Sequence, residues 1–227
     1  MPRKPEPRPD LVVTRTTHIL RTCAADMTSR GGFRWPESGH VAAPDWREDD
    51  RCGGGLHGFL EGEGDGSLAD WSPDARWLVA RIERHIPLGG KVKAPEAWVE
   101  FVGDRKAATD YLQSLGYGGA IVGCYKTGGP GSTLTGGDGS TLTGGHRSTL
   151  TGGDDSTLTG GPGSTLTGGD LSTLTGGDGS TLHLRRWDGR RYRTVVLYTG
   201  EDGIEPGVAY RLDDGGNPVR VSPSTPA

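Results

Sequence analysis

Four side chains in the first quarter of the chain are of the types that bind zinc. The set comprises Cys23, His40, Cys52 and His57. Two thiols and two imidazoles are common ligands of structural zinc sites. They fall in a loop-rich part of the sequence, where a metal would help to hold a small fold together. Their spacing differs from that of paired-cysteine zinc motifs, so buried structural cysteines and hydrogen-bonded histidines are the alternative interpretation.

The same region offers a pair of residues suited to nucleophilic catalysis. Cys52 precedes His57 by five residues, and the glycines between them allow a thiol and an imidazole to approach each other. A structural role for both residues is the competing interpretation.

An acidic, glycine-rich stretch follows. Its carboxylates repel phosphate, and no lysine follows them, so a phosphate-binding loop is excluded. Carboxylate oxygens suit calcium, although their spacing fits no calcium loop and a solvated turn is the alternative. The candidate ligands are Glu61, Glu63, Asp65 and Asp70.

A basic and aromatic segment lies near the C-terminal end. It could contact nucleic acid or an acidic partner, but strand alternation places its members on opposite faces, which favours ordinary exposed strand residues. The segment contains Arg185, Arg186, Trp187, Arg190, Arg191, Tyr192 and Arg193.

The most regular feature of the chain is a run of seven near-identical octapeptides between Gly131 and Leu182, built on Ser-Thr-Leu-Thr-Gly-Gly. A repeat this short cannot bury its own apolar face, so successive units must stack as a solenoid. One octapeptide is too short to close a coil around a leucine, and we therefore expect two octapeptides in each coil. Seven units then make about three and a half coils.

Alternation along each repeat strand sets its inner and outer faces. Leucine and serine point one way, into the core and an inner polar ladder, and the two threonines point the other way. In a degenerate lead-in unit, residues 124–129, Cys124 takes the inward serine position. The Gly-Gly steps are expected to supply positive φ in tight turns. The threonines predicted to face outward are our candidate binding residues: Thr133, Thr135, Thr141, Thr143, Thr149, Thr151, Thr157, Thr159, Thr165, Thr167, Thr173 and Thr175.

Ordinary mixed sequence flanks the array on both sides. Strand patterns and a helix capped by Asp104 and running to Leu115 predict a small α+β domain before the array. Turn signals such as Asp188-Gly189 predict antiparallel hairpins that cap the solenoid after it. The predicted organisation is a disordered tail 1–10, an α+β domain 11–116, the solenoid 117–182, a β cap 183–221 and a disordered tail 222–227.

Composition limits the classes of function. The formal charge of −4 lacks the broad basic face of nucleic-acid-binding or membrane-surface proteins. Three widely spaced cysteines argue against a disulfide framework. With no recognisable signal peptide or membrane-spanning window, the sequence predicts a cytoplasmic protein, or one released without a signal.

The repeats resemble the octapeptide and sixteen-residue repeats of bacterial ice nucleation proteins, over residues 124–182. That resemblance implies a β-solenoid whose outward Thr-x-Thr rows order water. The whole layout, with a Cys-Gly-x-Gly-Leu-His-Gly segment at residues 52–58 before the array, also resembles uncharacterised phage and actinobacterial proteins.

These observations predict a mainly β, non-enzymatic structural or interaction protein, whose threonine rows bind a repetitive surface such as ice or a second copy of the chain. One alternative is a ligand-binding, metal-binding or enzymatic domain in residues 11–116, holding zinc or calcium, with the solenoid as a spacer. A second alternative is a fibre in which chains assemble into a large oligomer.

Overall fold

The structure is a computed structural model that describes residues 11–221. The tails predicted to be disordered, 1–10 and 222–227, lie outside the described residues. The chain divides between Tyr117 and Gly118 into two compact units, called here the N-terminal unit and the solenoid unit. The fold is mainly β, with 44% strand and 6% helix, which confirms the predicted class.

The N-terminal unit is built on six strands, each antiparallel to its neighbours. They are β1 Val13–Cys23, β2 Gly39–Ala42, β3 Leu56–Leu60, β4 Arg76–Pro87, β5 Val92–Ala94 and β6 Glu96–Gly103. The order across the sheet is β1-β3-β5-β4-β6-β2. Because β1 also pairs with β4, the sheet curls into a small barrel-like arrangement.

One α-helix accompanies this sheet. It is α1, Arg105–Ser114, and the Asp104 carboxylate caps it by accepting a hydrogen bond from the Ala107 backbone N–H at 2.8 Å. Its buried face carries Ala108 and Leu112. The helix predicted from Asp104 is thus confirmed. A short 3-10 helix spans Gly66–Leu68, and no described helix is long and apolar enough to cross a bilayer.

The solenoid unit contains two parallel sheets that share one core. Its repeat strands are β7 Tyr125–Thr127, β8 Thr133–Thr135, β9 Thr141–Gly144, β10 Thr149–Thr151, β11 Thr157–Gly160, β12 Thr165–Gly168 and β13 Thr173–Gly176. Even-numbered strands form one sheet and odd-numbered strands the other. Leu150 pairs with Leu134 and Leu166, sixteen residues away on either side, which confirms two octapeptides per coil.

The solenoid makes about 4 turns over residues 125–184, rather than three and a half. The extra half turn comes from the lead-in unit, because β7 pairs in register with β9. Cys124 therefore stands one coil before Ser140 and is fully buried, as its alignment with the repeat predicts.

Leucine and serine fill the interior as predicted. The leucines from Leu142 to Leu182 are 0% exposed and the serines from Ser140 to Ser180 are 1% exposed. The serine hydroxyls link successive coils: the Ser148 N–H donates to the Ser164 Oγ at 3.1 Å, and the Ser164 Oγ donates to the Gly145 carbonyl at 3.2 Å. Each of these buried serine hydroxyls thus finds a partner, which offsets the cost of its burial.

The Gly-Gly steps have a different role from the one expected. Positive φ occurs instead at the second lead position of every repeat, with φ between 54° and 71° at Gly131, Gly139, Arg147, Asp155, Gly163, Leu171 and Gly179. The Gly-Gly residues lie outside this left-handed region. A Cβ on Gly153, for example, would lie 2.6 Å from the backbone nitrogen of Asp138 in the previous coil. The pair is glycine because coils stack backbone against backbone.

The strands of two antiparallel hairpins end the stack, as predicted. They are β14 Thr181–Trp187, β15 Tyr192–Tyr198, β16 Ala209–Leu212 and β17 Pro218–Arg220. β15 covers the edge of the even-numbered sheet through β14, and β16 covers β13. Thr199 continues the serine ladder, because its hydroxyl accepts from the Ser180 N–H at 2.7 Å and donates to the Gly177 carbonyl at 2.6 Å.

Candidate functional site

The outward threonines of the solenoid unit fall into two groups of six, one on each sheet. The first threonine face, on β8, β10 and β12, carries Thr133, Thr135, Thr149, Thr151, Thr165 and Thr167. The second threonine face, on β9, β11 and β13, carries Thr141, Thr143, Thr157, Thr159, Thr173 and Thr175. All twelve are exposed or half-exposed, whereas the leucines between them are mostly buried.

Parallel in-register pairing makes each face a grid. Thr149 stands opposite Thr133 and Thr165, and Thr151 opposite Thr135 and Thr167. Strands in a sheet lie about 4.8 Å apart and alternate residues about 6.6 Å apart along a strand. β-Branched threonine has few χ1 rotamers. Methyl and hydroxyl groups therefore repeat at fixed intervals on a rigid support.

Both grids end where the neighbouring strands of the sheet carry other side chains. On the first threonine face, the row of Thr165 passes to Thr181 and then to Tyr198. On the second, the row of Thr159 ends at Thr175 and then Ala209. The threonine pattern is thus confined to the stacked repeats.

The basic, aromatic segment forms the β14–β15 hairpin beside the first threonine face. The Arg185 guanidinium lies 4.2 Å from the centre of the Tyr192 ring, and Arg193 pairs with Asp188 at 2.6 Å. The Tyr192 hydroxyl donates to the Asp154 carboxylate at 2.8 Å, and this hydrogen bond raises the pKa of Tyr192 to about 12. Several of these groups are thus engaged within the hairpin or with the repeat turns.

The four candidate zinc ligands are not gathered at one point. Cys23 is buried at the end of β1, and the His40 Nε2 lies 3.0 Å from Glu96 at the β2–β6 edge. Cys52 and His57 lie near each other in the chain but have other partners. Within residues 11–221, no group of three or more histidine, cysteine, aspartate or glutamate side chains is arranged to hold a metal ion.

Three of the four candidate calcium ligands have side-chain contacts within the N-terminal unit. Glu61 pairs with Arg15, and its carboxylate accepts from the Thr17 hydroxyl at 2.9 Å. Asp65 accepts from the Ser67 N–H and Asp70 from the Ser72 N–H, each at 3.0 Å. The two aspartate hydrogen bonds, each to the backbone N–H two residues on, are typical of turns.

Cys52 and His57 have different hydrogen-bond partners, and neither partner is evident from the sequence. Lys91 Nζ donates to the Cys52 Sγ at 3.1 Å and lowers the pKa of that thiol. The His57 Nε2 accepts from the Gly53 N–H at 3.3 Å. Burial, with the nearby charges of Lys91 and Arg21, lowers the pKa of His57 to about 4. At neutral pH this histidine is uncharged in an electropositive setting.

Similarity to known proteins is confined to a repeat-sized segment. The chain is 36% identical over 119 residues to the ice nucleation protein of Enterobacter agglomerans, 46% over 97 residues to that of Xanthomonas campestris pv. translucens, and 42% over 100 residues to that of Pseudomonas syringae. These alignments cover 50%, 41% and 42% of this chain, but only 9%, 6% and 8% of the respective relatives. The resemblance of the repeats is thereby confirmed.

The chain spans about a tenth or less of the length of these curated relatives. No family model matches the chain, and no solved structure matches it.

Proposed function

We propose that this repeat-built, non-enzymatic structural protein uses its two threonine faces to adsorb to a repetitive surface, and that the surface is ice. The observation that carries the proposal is the sixteen-residue parallel register, which repeats threonine pairs on both outer faces. The relatives that share these repeats are named as ice nucleation proteins.

The physical argument rests on preorganisation. A buried leucine and serine ladder fixes the backbone beneath each threonine, and branching at Cβ restricts the side chain itself. Little conformational entropy is therefore lost when water molecules or a crystal plane order against the face. Hydroxyls supply hydrogen bonds to that layer, and methyl groups supply apolar contact between them.

The extent of the faces sets the expected activity. Three to four strands about 4.8 Å apart span only about 10–15 Å along the stack. A single molecule thus orders a small patch, and we propose adsorption to existing ice rather than initiation of freezing by one isolated chain. Several copies presenting their faces together would enlarge the patch.

A charge at the centre of each face tests the proposal. In Thr149→Lys and Thr157→Lys, a long charged side chain replaces a threonine on the middle strand of the first or second threonine face. The assay is the partition of full-length protein into slowly growing ice, together with inhibition of ice recrystallisation. We expect at least one of the two single-site variants, or the double variant, to lose most of its partition into ice. His146→Lys, at an exposed turn off both faces, is the matched control.

Equal partition of the wild type, the double variant and the His146→Lys control would contradict ice adsorption. Sedimentation velocity on the same samples separates the alternative in which the faces pack on a second copy. A wild-type oligomer that Thr149→Lys or Thr157→Lys converts to monomer, without any ice phenotype, favours self-association.

A further inference from the structure

Two adjoining cavities open on the N-terminal unit, beside a third cavity that shares Arg21 and Arg30 with them and is also lined by Asp70. Their volumes are about 420 and 210 Å³. Both are lined by Arg21, Arg30, Gly53 and His57. Together they are in the size range of small-molecule sites.

The smaller cavity is strongly cationic. Arg21, Arg30 and Lys91 line it with His57, and its lining contains no carboxylate. Among the described residues, no acidic side chain forms a salt bridge with any of these three cations. Lys93, by contrast, is buried and neutralised by Asp49 at 2.7 Å. The fold therefore pairs Lys93 with an acid, whereas Arg21, Arg30 and Lys91 form no salt bridge among the described residues. Asp45 lines the larger cavity, and Lys91 donates to the Cys52 Sγ.

Arg21 provides an independent sign of an absent partner. Its Nε is buried and has no hydrogen-bond acceptor among the described residues. The rest of the guanidinium contacts the Cys23 thiol, and its Nη1 makes a long contact of 3.5 Å to the His57 carbonyl. An unsatisfied buried donor is costly, more so on a charged group. A ligand oxygen in the cavity would satisfy it.

The larger cavity supplies a different surface. Phe33, Trp35 and Leu56 contribute an apolar wall beside the shared arginines. Phe33 and Trp35 meet edge to face, with ring centres 5.9 Å apart. A cationic end and an aromatic wall together match a ligand with an anionic head and a flat body.

We propose that the N-terminal unit binds a small phosphomonoester of mononucleotide size, with its phosphate among Arg21, Arg30 and Lys91 and its flat body against Phe33 and Trp35. Arginine guanidinium groups suit phosphate because they donate paired hydrogen bonds to its oxygens. Burial lowers the pKa of His57, and the charges of Lys91 and Arg21 lower it further, while the hydrogen bond from Lys91 lowers the pKa of the Cys52 thiol. This site is separate from the threonine faces, and its test does not depend on ice adsorption.

Cys52 is a built-in reporter for the cavity. It lines the cavity and is exposed, whereas Cys23 and Cys124 are buried. Alkylation of the native full-length protein by iodoacetamide therefore measures mainly Cys52. A bound phosphate opposes the field of Lys91, so the thiolate fraction should fall and the thiol should be shielded.

The experiment compares alkylation rates with inorganic phosphate, with a panel of nucleoside 5′-monophosphates, and with sodium chloride at matched ionic strength. We expect phosphate to slow alkylation by about threefold or more, because a bound anion near the thiol disfavours the reactive thiolate and also blocks access to it. At least one nucleotide should give the same protection at lower concentration than phosphate.

Arg21→Gln and Arg30→Gln should each reduce that protection severalfold, and Arg190→Gln, in the exposed β14–β15 turn, should leave it intact. Arg30 is exposed, so its variant remains informative if Arg21→Gln fails to fold. Equal alkylation rates in phosphate and chloride, or full protection that persists in Arg30→Gln, would overturn the proposal. Protection by phosphate with no tighter binding by any nucleotide would overturn the assignment of the aromatic wall.

Discussion

The stacking role of the Gly-Gly steps leads to a sharp prediction, because the same repeat position occurs with and without a coil beneath it. Gly153 packs on Asp138: an added Cβ would meet the Asp138 Oδ1 and would lie 2.6 Å from its backbone nitrogen and 2.8 Å from the Gly137 carbonyl carbon. Gly129 is the corresponding residue of the lead-in unit, and an added Cβ there meets nothing within 4 Å. Neither residue has a left-handed φ.

We therefore expect Gly153→Ala to lower the free energy of unfolding by about 2–3 kcal/mol, at the upper end of overpacking costs, because the opposing atoms are backbone and cannot rotate away. Gly129→Ala should be neutral or should stabilise by about 0.4–1 kcal/mol, since alanine restricts the unfolded chain. A gap of about 2–4 kcal/mol corresponds to a shift of roughly 1–2 M in the urea midpoint.

The assay is urea unfolding of the full-length protein followed by far-UV circular dichroism, with hydrogen exchange of the β10–β12 segment to locate the change. Five of the six tryptophans lie in the N-terminal unit, so their fluorescence serves as an internal control for that unit. Equal destabilisation by Gly153→Ala and Gly129→Ala would refute the stacking argument, because it would mean that backbone freedom at the step is what matters.

Three further predictions follow from individual residues. Leu171 is 66% exposed and holds a φ of 59°. Leu171→Gly should therefore raise the unfolding free energy by about 0.5–1 kcal/mol in the same urea assay, because relief of left-handed strain exceeds the entropic cost of glycine. A loss of stability would contradict this prediction. Thr199→Val leaves the buried Ser180 N–H without its acceptor and should lower the unfolding free energy by about 1–3 kcal/mol. Thr199→Ser keeps the hydroxyl and should keep most of the stability. Equal losses of stability in the two variants would show that packing, not the hydrogen bond, matters. The pKa of His57 falls from 6.5 to about 4 on folding, so the unfolded chain binds more protons than the folded chain between these pH values. The contribution of neutral His57 to the stability of the N-terminal unit should therefore be complete above pH 6.5. It should decline towards pH 4, by at most about 3 kcal/mol before solvent screening. His57→Gln should flatten that decline in fluorescence-monitored unfolding, and an unchanged pH profile would contradict the assignment.

Local patterns in the sequence were sufficient for the elements whose causes are local. The Ser-Thr-Leu-Thr alternation determines which side chains face the core, and the buried Leu158 and Ser156 follow it. Asp104 predicts a helix start because its carboxylate caps a backbone N–H three residues on. Asp188-Gly189 predicts the β14–β15 turn for a similar reason.

Tertiary structure decided whatever depends on residues that are distant in sequence. From the sequence, the Gly-Gly steps are typical of flexible turns. The structure shows instead that Gly153 packs against the Asp138 backbone of the previous coil, which no local pattern reveals. The zinc site was predicted from residue types alone. In the folded chain, His40 instead hydrogen-bonds with Glu96, and the Cys52 sulfur accepts from Lys91.

The cationic cavity shows the same limit. Arg21, His57 and Lys91 come from three separate strands or strand ends, and no local pattern links them. The sequence by itself therefore determined the period, the inner and outer faces and the capping hairpins, because these depend on near neighbours. The contacts between coils and the gathering of charges in the N-terminal unit depend on how the chain returns on itself, and only the folded structure decides that.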